Sequence, residues 1–268
     1  MTAIYALMPE EGQLTLEQES LDSAALIPGR VLVEAETTVI SPGTELSVFT
    51  AATPGVRQPG KWNAYPFRPG YGLVGRVVAT GEGVQHLSAG TRVFCFGKHA
   101  SHQIINTTSL KPMTKLFPIP EDFPADPGVM LRMALVALTG PQVSEVDPGD
   151  TVAVFGLGMV GNLAAQLYKA AGAHVIGLDT IPQRCEIARQ CGIETVLDVP
   201  PEEQVAAIHA LTDGKGAQIT VEAVGHSAVM PNCAAACADF GQVVLLGRRV
   251  RRMLLISPLP YAKFTCAG

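Results

Sequence analysis

The chain has 268 residues, a length that suits two small domains or one large one. Hydrophobic residues make up 47% and charged residues 16% of the composition, which excludes a disordered protein. The net charge of −5 argues against nucleic acid or an acidic membrane surface as the main partner. We therefore expect a globular protein whose partner is a small-molecule substrate.

The ends of the chain and the cysteines indicate the compartment. A membrane-spanning helix needs about 18 consecutive apolar residues, and no apolar run in this sequence is that long. The N-terminus has neither the basic leader nor the apolar core of a signal peptide. The six cysteines are scattered and do not pair as CxxC, so reduced, buried thiols are expected. These features predict a cytoplasmic protein.

Residues 1–124 are predicted to form a β-rich, barrel-like domain with long loops, because short apolar runs alternate with Pro-Gly pairs. The predicted strands are 3–8, 31–40, 72–80, 91–97 and 101–106. The stretch 50–68 holds the only tryptophan, Trp62. It is predicted to be a loop. Its pattern fits two interpretations equally well: a loop that borders a ligand cleft, and a surface loop held in place by one aromatic ring.

A linker helix is predicted within residues 125–148, with an apolar face spaced for a helix over 126–146. The residues of that face are Met130, Met133, Ala134, Ala137 and Leu138. This methionine-containing stripe favours a packed core over a soft-metal site. The boundary with the next domain is expected near Asp147-Pro148-Gly149-Asp150.

Residues 149–247 are predicted to form a doubly wound parallel sheet of the Rossmann type, organised around residues 151–180. A strand at 151–155 leads into Gly156-Leu157-Gly158-Met159-Val160-Gly161, a helix, and a second strand at 174–178 that closes on Asp179. This is the dinucleotide fingerprint in its required setting. The glycines permit a tight turn, leave room for the pyrophosphate and let the helix pack closely, while the helix start holds the phosphates.

The acid after the second strand predicts the cofactor. The Asp179 carboxylate can accept hydrogen bonds from both hydroxyls of a ribose and would repel a 2′-phosphate, so NAD(H) is favoured over NADP(H). Further alternation places strands at 195–199, 219–224 and 242–246, with helices at 181–191, 201–211 and 228–238. Right-handed crossovers then give the strand order 3-2-1-4-5. Gly156, Asp179, Gly225 and Gly247 should line one edge of that sheet.

The segment 248–268 is predicted to be an atypical tail. It opens with Arg248-Arg249-Val250-Arg251-Arg252 and continues as an apolar stretch without a clear helix or return strand. A solvated linker is favoured over an anion-binding patch. Without a further strand, the edge at 242–246 would stay open and would invite pairing with another chain.

Several of these motifs together resemble the medium-chain dehydrogenase/reductase superfamily. They are VDPGDTVAVFGLGMVG, the acid after the second strand, EAVG and GQVVLLG, and the likeness covers the chain up to Gly247. The resemblance implies a GroES-like substrate domain, a Rossmann domain, and hydride transfer in the cleft between them. It also implies a cofactor-binding set of Thr139, Gly156, Gly158, Met159, Val160, Gly161, Asp179, Arg184, Val224, Gly225, Leu246 and Gly247.

Many members of the superfamily hold a catalytic zinc, and this chain departs from that pattern. The positions of the zinc ligands match Pro42, Tyr71 and Leu135, and the closely spaced cysteines of a structural zinc lobe are absent. Proline and leucine cannot ligate, whereas a catalytic zinc needs three side chains. No zinc is therefore predicted. His99 and His102 remain as a pair, but they lack a third ligand at suitable spacing.

Catalysis without zinc would need a hydroxyl or acid that donates to or receives from the reacting oxygen. Thr44 matches the proton-relay hydroxyl of the superfamily, and Ser47 the far end of that relay. Tyr71, at the lost histidine position, can donate to an oxygen near the nicotinamide. Glu45 matches an acid behind the reacting groups. For each of the four, ordinary loop hydrogen bonding is the competing interpretation.

SPGTE, GYGLVGRV and FGKHASHQ look most like a zinc-free branch near threonine and sorbitol-type dehydrogenases and bacteriochlorophyllide dehydrogenases. Members run some 80 residues further, with a sixth strand that in many of them pairs two subunits. The family-like pattern is therefore predicted to stop at Gly247, by natural shortening or by a changed reading frame near Arg248. A homodimer is the assembly that this open edge suggests.

Three functions follow from these observations. The first is a zinc-independent NAD(H)-dependent oxidoreductase that acts on an alcohol/carbonyl pair. The second is an enoyl or quinone reductase, against which Asp179 counts because such enzymes usually use NADPH. The third is a non-catalytic nucleotide-binding protein that retains the Rossmann half. The sequence favours the first.

Overall fold

The computed structural model describes residues 1–109, 115–247 and 263–266. The chain divides into two compact units, Met1–Arg132 and Met133–Gly268. The division falls inside the segment 125–148 that the sequence predicts as a linker. None of the helices in the described ranges combines the length and the apolar composition needed to cross a membrane.

The first unit is built mainly from antiparallel strands. Its elements are β1 (Thr2–Leu7), β2 (Thr15–Ser20), β3 (Arg30–Val39), α1 (Pro42–Phe49), β4 (Gly72–Thr80), β5 (Arg92–Cys95), β6 (His102–Asn106), β7 (Leu116–Pro118) and α2 (Ala125–Val129). β1 and β2 form a hairpin, and the other strands form one sheet in the order β6-β3-β4-β5-β7. Alternate side chains of this sheet, including Val31, Val33, Leu73 and Val93, are buried in one cluster.

Sequence patterns missed three elements of this unit. β2 carries only one large apolar residue in TLEQES, so it lacks the alternation that predicts a strand. β7 is three residues long. α1 opens with Pro42-Gly43, a pair typical of turns, but proline is tolerated in the first turn of a helix. The Glu45 carboxylate then accepts from the amide of Ser41, the residue before the helix.

The second unit alternates strands and helices. Its elements are α3 (Leu131–Val143, which begins in the first unit), β8 (Thr151–Phe155), α4 (Met159–Ala170), β9 (His174–Leu178), α5 (Pro182–Gln190), β10 (Thr195–Leu197), α6 (Pro201–Leu211), β11 (Ala217–Glu222), α7 (Met230–Ala235), β12 (Cys237–Leu245) and β13 (Lys263–Cys266). All strand pairs are parallel, in the order β10-β9-β8-β11-β12-β13. The predicted order of the first five strands is confirmed.

The sheet of the second unit is covered on both faces. One buried cluster contains Val152, Val154 and Tyr168, and the other contains Phe155, Leu178 and Ile208. Because successive residues of β8 point to opposite faces, Val152 and Val154 join one cluster while Ala153 and Phe155 join the other. Two-sided burial explains why the strands are continuous apolar runs in the sequence.

Two predicted helices differ in the structure. The helix predicted over 126–146 is two helices, α2 and α3, with Met130 between them. The helix predicted over 228–238 is a short 3-10 turn at Ser227–Val229 followed by α7. β12 begins at Cys237, earlier than predicted, and has a register shift against β11. Phe240 sits in that irregular part with φ of +64°.

Candidate active site

The turn after β8 is shaped by its glycines. Gly156 has φ of +94°, and a side chain there would come within 2.7 Å of Val224 Cγ2. A methyl group on Gly161 would overlap the carbonyl oxygen of Gly156, so α4 can pack against the turn only with glycine at this position. A methyl group on Gly158 would meet no atom within 4 Å. Two of the three glycines are therefore needed by the fold, and the third borders open space.

The start of α4 supplies donors beside that open space. α4 begins at Met159, and the amide of Asn162 is the first to reach an acceptor four residues back, the carbonyl of Gly158. The amides of Met159, Val160 and Gly161 precede it and have no intrahelical acceptor. Such a helix end attracts anions, phosphates among them. Gly158 leaves the space that a diphosphate would need.

Asp179 is bonded directly to the glycine turn. Its side chain is buried, Oδ2 accepts from the amide of Leu157 at 2.7 Å, and Oδ1 accepts from the amide of Ile181 at 2.9 Å. Arg184 Nη1 lies 3.5 Å from Oδ2, and the Arg184 side chain is about half exposed. A carboxylate has about four acceptor positions, so capacity remains for hydroxyl donors. The ribose-binding role of Asp179 stays a prediction.

The loops after β11 and β12 are joined through Glu222, which is fully buried. Its Oε1 accepts from the amides of Val224 and Gly225 at 2.8 and 2.6 Å. Its backbone carbonyl accepts from the amides of Leu246 and Gly247 at 2.9 and 3.0 Å. Burial raises the pKa of the Glu222 carboxyl above its ordinary value, although four backbone amides oppose the shift. Glu222 thereby fixes four of the predicted cofactor residues.

Thr139 lies apart from that group along the chain, in α3. It is half-buried, and its hydroxyl donates to the carbonyl of Val136 at 2.6 Å. The neighbouring Gly140 is buried against Tyr168, and a methyl group there would lie 3.4 Å from Leu246 Cδ1. This helix therefore packs beside the loop after β12 within the second unit.

In the first unit, Thr44, Glu45 and Ser47 all lie on α1 rather than on a loop. The Ser47 hydroxyl is buried, donates to the carbonyl of Thr44 at 2.7 Å and accepts from the Thr53 hydroxyl at 3.2 Å. Thr44 is half-buried. The hydrogen bond from Ser47 thus reaches the backbone of Thr44, and the proton relay through these two residues stays a prediction.

Glu45 is a buried carboxylate that ties α1 to the loop before β4. It accepts from the amide of Ser41 at 2.7 Å and from the amide of Gly70. His99 Nε2 lies 3.1 Å from Glu45 Oε1, within ion-pair distance but without hydrogen-bond alignment. The other ring nitrogen of His99 is 2.8 Å from the Thr38 hydroxyl. Glu45 therefore positions Gly70, the residue before Tyr71.

Tyr71 is half-buried and stacks against a guanidinium group. The Arg132 guanidinium carbon lies 3.9 Å from the centroid of the Tyr71 ring and 4.6 Å from that of Phe96. Gly72 leaves room for the Arg132 stem, since a side chain at 72 would come within 2.8 Å of Arg132 Cβ. Sequence reasoning did not include Arg132 in the site.

His99 and His102 do not form a shared site. His102 Nδ1 is 3.2 Å from the Ser101 hydroxyl, and its Nε2 is 3.8 Å from Glu34 Oε1, whereas His99 contacts Thr38 and Glu45. Over the described ranges, no group of three or more His, Cys, Asp or Glu side chains is placed to hold a metal ion.

Comparison with known protein families identifies the superfamily of this chain. The alcohol dehydrogenase GroES-like domain matches residues 27–110, and the zinc-binding dehydrogenase family matches residues 159–262. The chain belongs to the medium-chain dehydrogenase/reductase superfamily. The predicted fold class, a GroES-like β-barrel domain plus a Rossmann doubly wound parallel sheet, is confirmed.

Individual members of the superfamily give the extent of the likeness. D-guloside 3-dehydrogenase from Escherichia coli is 29% identical over 223 residues, which cover 77% of this chain and 63% of that protein. The chain thus spans less than two thirds of that relative. An Escherichia coli oxidoreductase/dehydrogenase of unknown specificity, involved in membrane biogenesis, has a TM-score of 0.86 at 18% identity, covering 99% of this chain and 83% of that one. CurK enoyl reductase has the same TM-score at 16% identity, covering 99% and 81%.

Within the superfamily, the residues of this chain do not fit a catalytic zinc. The resemblance matches Pro42 and Leu135 to two of the three zinc-ligand positions, and neither side chain has a donor atom. At the third, Tyr71 faces the cation of Arg132, which disfavours a second cation beside it. Two of the three protein ligands that catalytic zinc requires are therefore missing at these positions.

Two predictions about the C-terminal segment are wrong. The superfamily match runs to residue 262, beyond Gly247, where the family-like pattern was predicted to stop. The open edge predicted at 242–246 is covered, because β13 pairs in parallel with β12 from Gln242↔Lys263 to Leu245↔Cys266. The arginine-rich stretch 248–252 lies outside the described residues. Residues 264–266 belong to β13. Their short sequence, FTC, mixes apolar and polar residues and does not predict a strand.

Some residues of the site were missed for identifiable reasons. Glu222 lies in the EAVG motif, and a lone acid at the end of an apolar strand could have identified it. Leu157 donates to Asp179 through its backbone amide, so the identity of its side chain does not reveal this contact. Arg132 and His99 act through contacts with residues far away in the chain, and no local pattern predicts them.

Proposed function

We propose that the chain is a zinc-independent, NAD(H)-dependent oxidoreductase that transfers a hydride between the nicotinamide and an alcohol/carbonyl substrate. The observation that carries the proposal is the buried Asp179 carboxylate, which is bonded to the amide of Leu157 in the glycine turn. We infer that this bond holds the acid beside the ribose of a dinucleotide whose diphosphate binds at the start of α4. The relatives named as dehydrogenases support the reaction type.

Each group of residues would have a distinct task. The amides of Met159, Val160 and Gly161 would bind the diphosphate, and Asp179 would accept from the ribose hydroxyls. Bound NAD supplies the hydride acceptor. Tyr71 would exchange the proton with the substrate oxygen, and Thr44 is the second hydroxyl for that step. Glu45, through Gly70, would hold Tyr71 in place.

The cofactor is tested by fluorescence titration with NADH and NADPH. NADH should bind at least about 10-fold more tightly. Asp179→Asn should weaken NADH binding by about 10- to 100-fold, because hydrogen bonds to a charged acceptor are lost, and should narrow the preference over NADPH. Asp198→Asn changes an exposed acid that follows the neighbouring strand β10 and should change neither affinity. Equal affinities in the wild type would contradict the role given to Asp179.

Turnover is tested with a panel of alcohols, aldehydes, ketones and enones. The name of D-guloside 3-dehydrogenase places glycosides with a free secondary alcohol in the panel. Tyr71→Phe should lower kcat by at least about 100-fold if Tyr71 exchanges the proton, with NADH affinity unchanged. Tyr5→Phe is the control, since Tyr5 also carries a stacked arginine. A rate that survives Tyr71→Phe would exclude Tyr71 from the chemistry.

The same measurements separate the alternatives. Reduction of enones alone would indicate an enoyl or quinone reductase. Binding of NADH without any turnover would indicate a non-catalytic nucleotide-binding protein. One zinc per chain in metal analysis of the purified protein would overturn zinc independence. Sedimentation would test the homodimer predicted from the sequence, whose ground, an open edge at 242–246, is covered by β13.

A further inference from the structure

Arg132 contacts two aromatic rings through its guanidinium group. Its guanidinium carbon lies 3.9 Å from the Tyr71 centroid and 4.6 Å from the Phe96 centroid. The Phe96 ring is itself braced edge-on by Phe94 at 5.9 Å. Because the guanidinium group stacks on these rings, the N–H groups at its edges are the atoms that can donate hydrogen bonds to a partner.

The Nε–H of Arg132 lacks the acceptor that most arginines in the described ranges have. Arg132 Nε is sealed from solvent and has no acceptor, and no described carboxylate lies within ion-pair distance of Arg132. Burial lowers the pKa of Arg132, although Tyr71 opposes the shift. A desolvated cation without an anionic acceptor is unfavourable.

Arg68 shows the complete form of the same arrangement. Its guanidinium carbon lies 3.6 Å from the centroid of Tyr5. It also donates two hydrogen bonds to the carboxylate of Glu19, at 3.0 and 2.9 Å. The fork of Arg68 is thus satisfied by a bidentate carboxylate. Arg132 has the aromatic support without the carboxylate.

The surroundings of Arg132 are those of the predicted reaction site. Tyr71 is the proposed proton donor, and Gly72 accommodates the stem of Arg132 where another side chain would collide with it. We infer that Arg132 binds the carboxylate of the substrate, so that the substrate class is an oxo acid or the corresponding hydroxy acid. The inference rests on the proposed function for the identity of the ligand as a substrate.

The test uses 2-oxo acids of three to six carbons, each beside its uncharged primary amide, with the NADH-loaded protein. Binding is measured by calorimetry and turnover by NADH absorbance. The wild type should prefer the acid of each effective pair by about 10-fold or more. Arg132→Gln should weaken binding and kcat/KM for the acid by about 10- to 100-fold and leave the amide within about 2-fold.

Matched variants separate recognition from folding. Arg68→Gln removes the other stacked arginine and should leave the acid-to-amide ratio unchanged. Arg132→Lys keeps the charge and the stem but loses the planar fork, so it should fall between wild type and Arg132→Gln. If Arg132→Gln unfolds in a thermal melt, the ratio in Arg132→Lys decides: an unchanged ratio overturns the inference.

The outcomes also separate this inference from the proposed function. Reduction of the amides as efficiently as of the acids would overturn the carboxylate site and leave the oxidoreductase intact. Acid binding that depends on Arg132, with no turnover of any substrate, would keep the site and overturn the oxidoreductase. Absence of acid binding up to about 50 mM would overturn the inference.

Discussion

The glycine turn of the second unit and the Tyr71 region of the first unit are built from different parts of the chain. At the turn, the groups that face the predicted ligand are backbone amides at the start of α4. Around Tyr71 they are side chains, with Glu45 behind the loop and Arg132 on the ring. The first is a site of backbone geometry, and the second is a site of charge and ring contacts.

This difference indicates which amino-acid substitutions each region tolerates. The glycine turn depends on the absence of side chains. A methyl group added to one of its glycines either fits into open space or collides with neighbouring atoms. Side-chain sites depend on partners that can be exchanged for others of similar charge and size. We therefore expect substitutions to destabilise the fold less in the Tyr71 region than at Gly156 and Gly161 of the glycine turn.

The largest effect is expected for Gly161→Ala. Its methyl group would overlap the Gly156 carbonyl, so the turn or α4 must shift, and the free energy of unfolding should fall by about 3 kcal/mol or more. NADH binding should be lost with it. Urea unfolding and NADH fluorescence measure the two effects.

Gly158→Ala sharpens the result, because a methyl group there meets no atom within 4 Å. This variant should unfold like the wild type, within about 0.5 kcal/mol, and yet bind NADH more weakly. If Gly158→Ala binds NADH normally, the open space at Gly158 is not where the diphosphate lies.

The same contrast explains what could be predicted from the sequence. Gly156, Gly161 and Asp179 were found because one strand, one turn and one helix lie consecutively in the chain, and their spacing fixes the geometry. Glu45 contacts Gly70, 25 residues away, and such a pairing leaves no periodic pattern. α1 was missed because Pro42-Gly43 is typical of a turn, and only the contacts of Glu45 show why a helix begins there.

A smaller effect is expected for Glu45→Gln. The amide group of glutamine can accept at only one end, so one of the amides of Ser41 and Gly70 would face a donor. The free energy of unfolding should fall by about 2 kcal/mol. Turnover should also fall, with NADH affinity within about 2-fold of the wild type.

Glu34→Gln is the control for that variant. Glu34 also faces a histidine, His102, but at 3.8 Å and with 61% of its side chain exposed, so its loss should cost less than about 0.5 kcal/mol. Equal effects of Glu34→Gln and Glu45→Gln would mean that Glu45 does not organise the loop before Tyr71.

The smallest effect tests Glu222, a fully buried acid within the backbone-built site. Burial raises the pKa of Glu222 above its ordinary value of 4.5, so the folded state holds this proton at pH values where the unfolded chain has released it. The contribution of Glu222 to stability is then present below pH 4.5 and is lost as the pH rises through the raised pKa.

Glu222→Gln removes this titration while glutamine can still accept from the amides of Val224 and Gly225. The stability of the variant relative to the wild type should therefore increase as the pH rises above 4.5, as measured by urea unfolding across that range. Glu194→Gln gives the opposite sign, because Lys169 lowers the pKa of the exposed Glu194. A pH-independent difference for Glu222→Gln would mean that the four backbone amides around Glu222 cancel the effect of its burial, so that its pKa is the same in the folded and the unfolded chain.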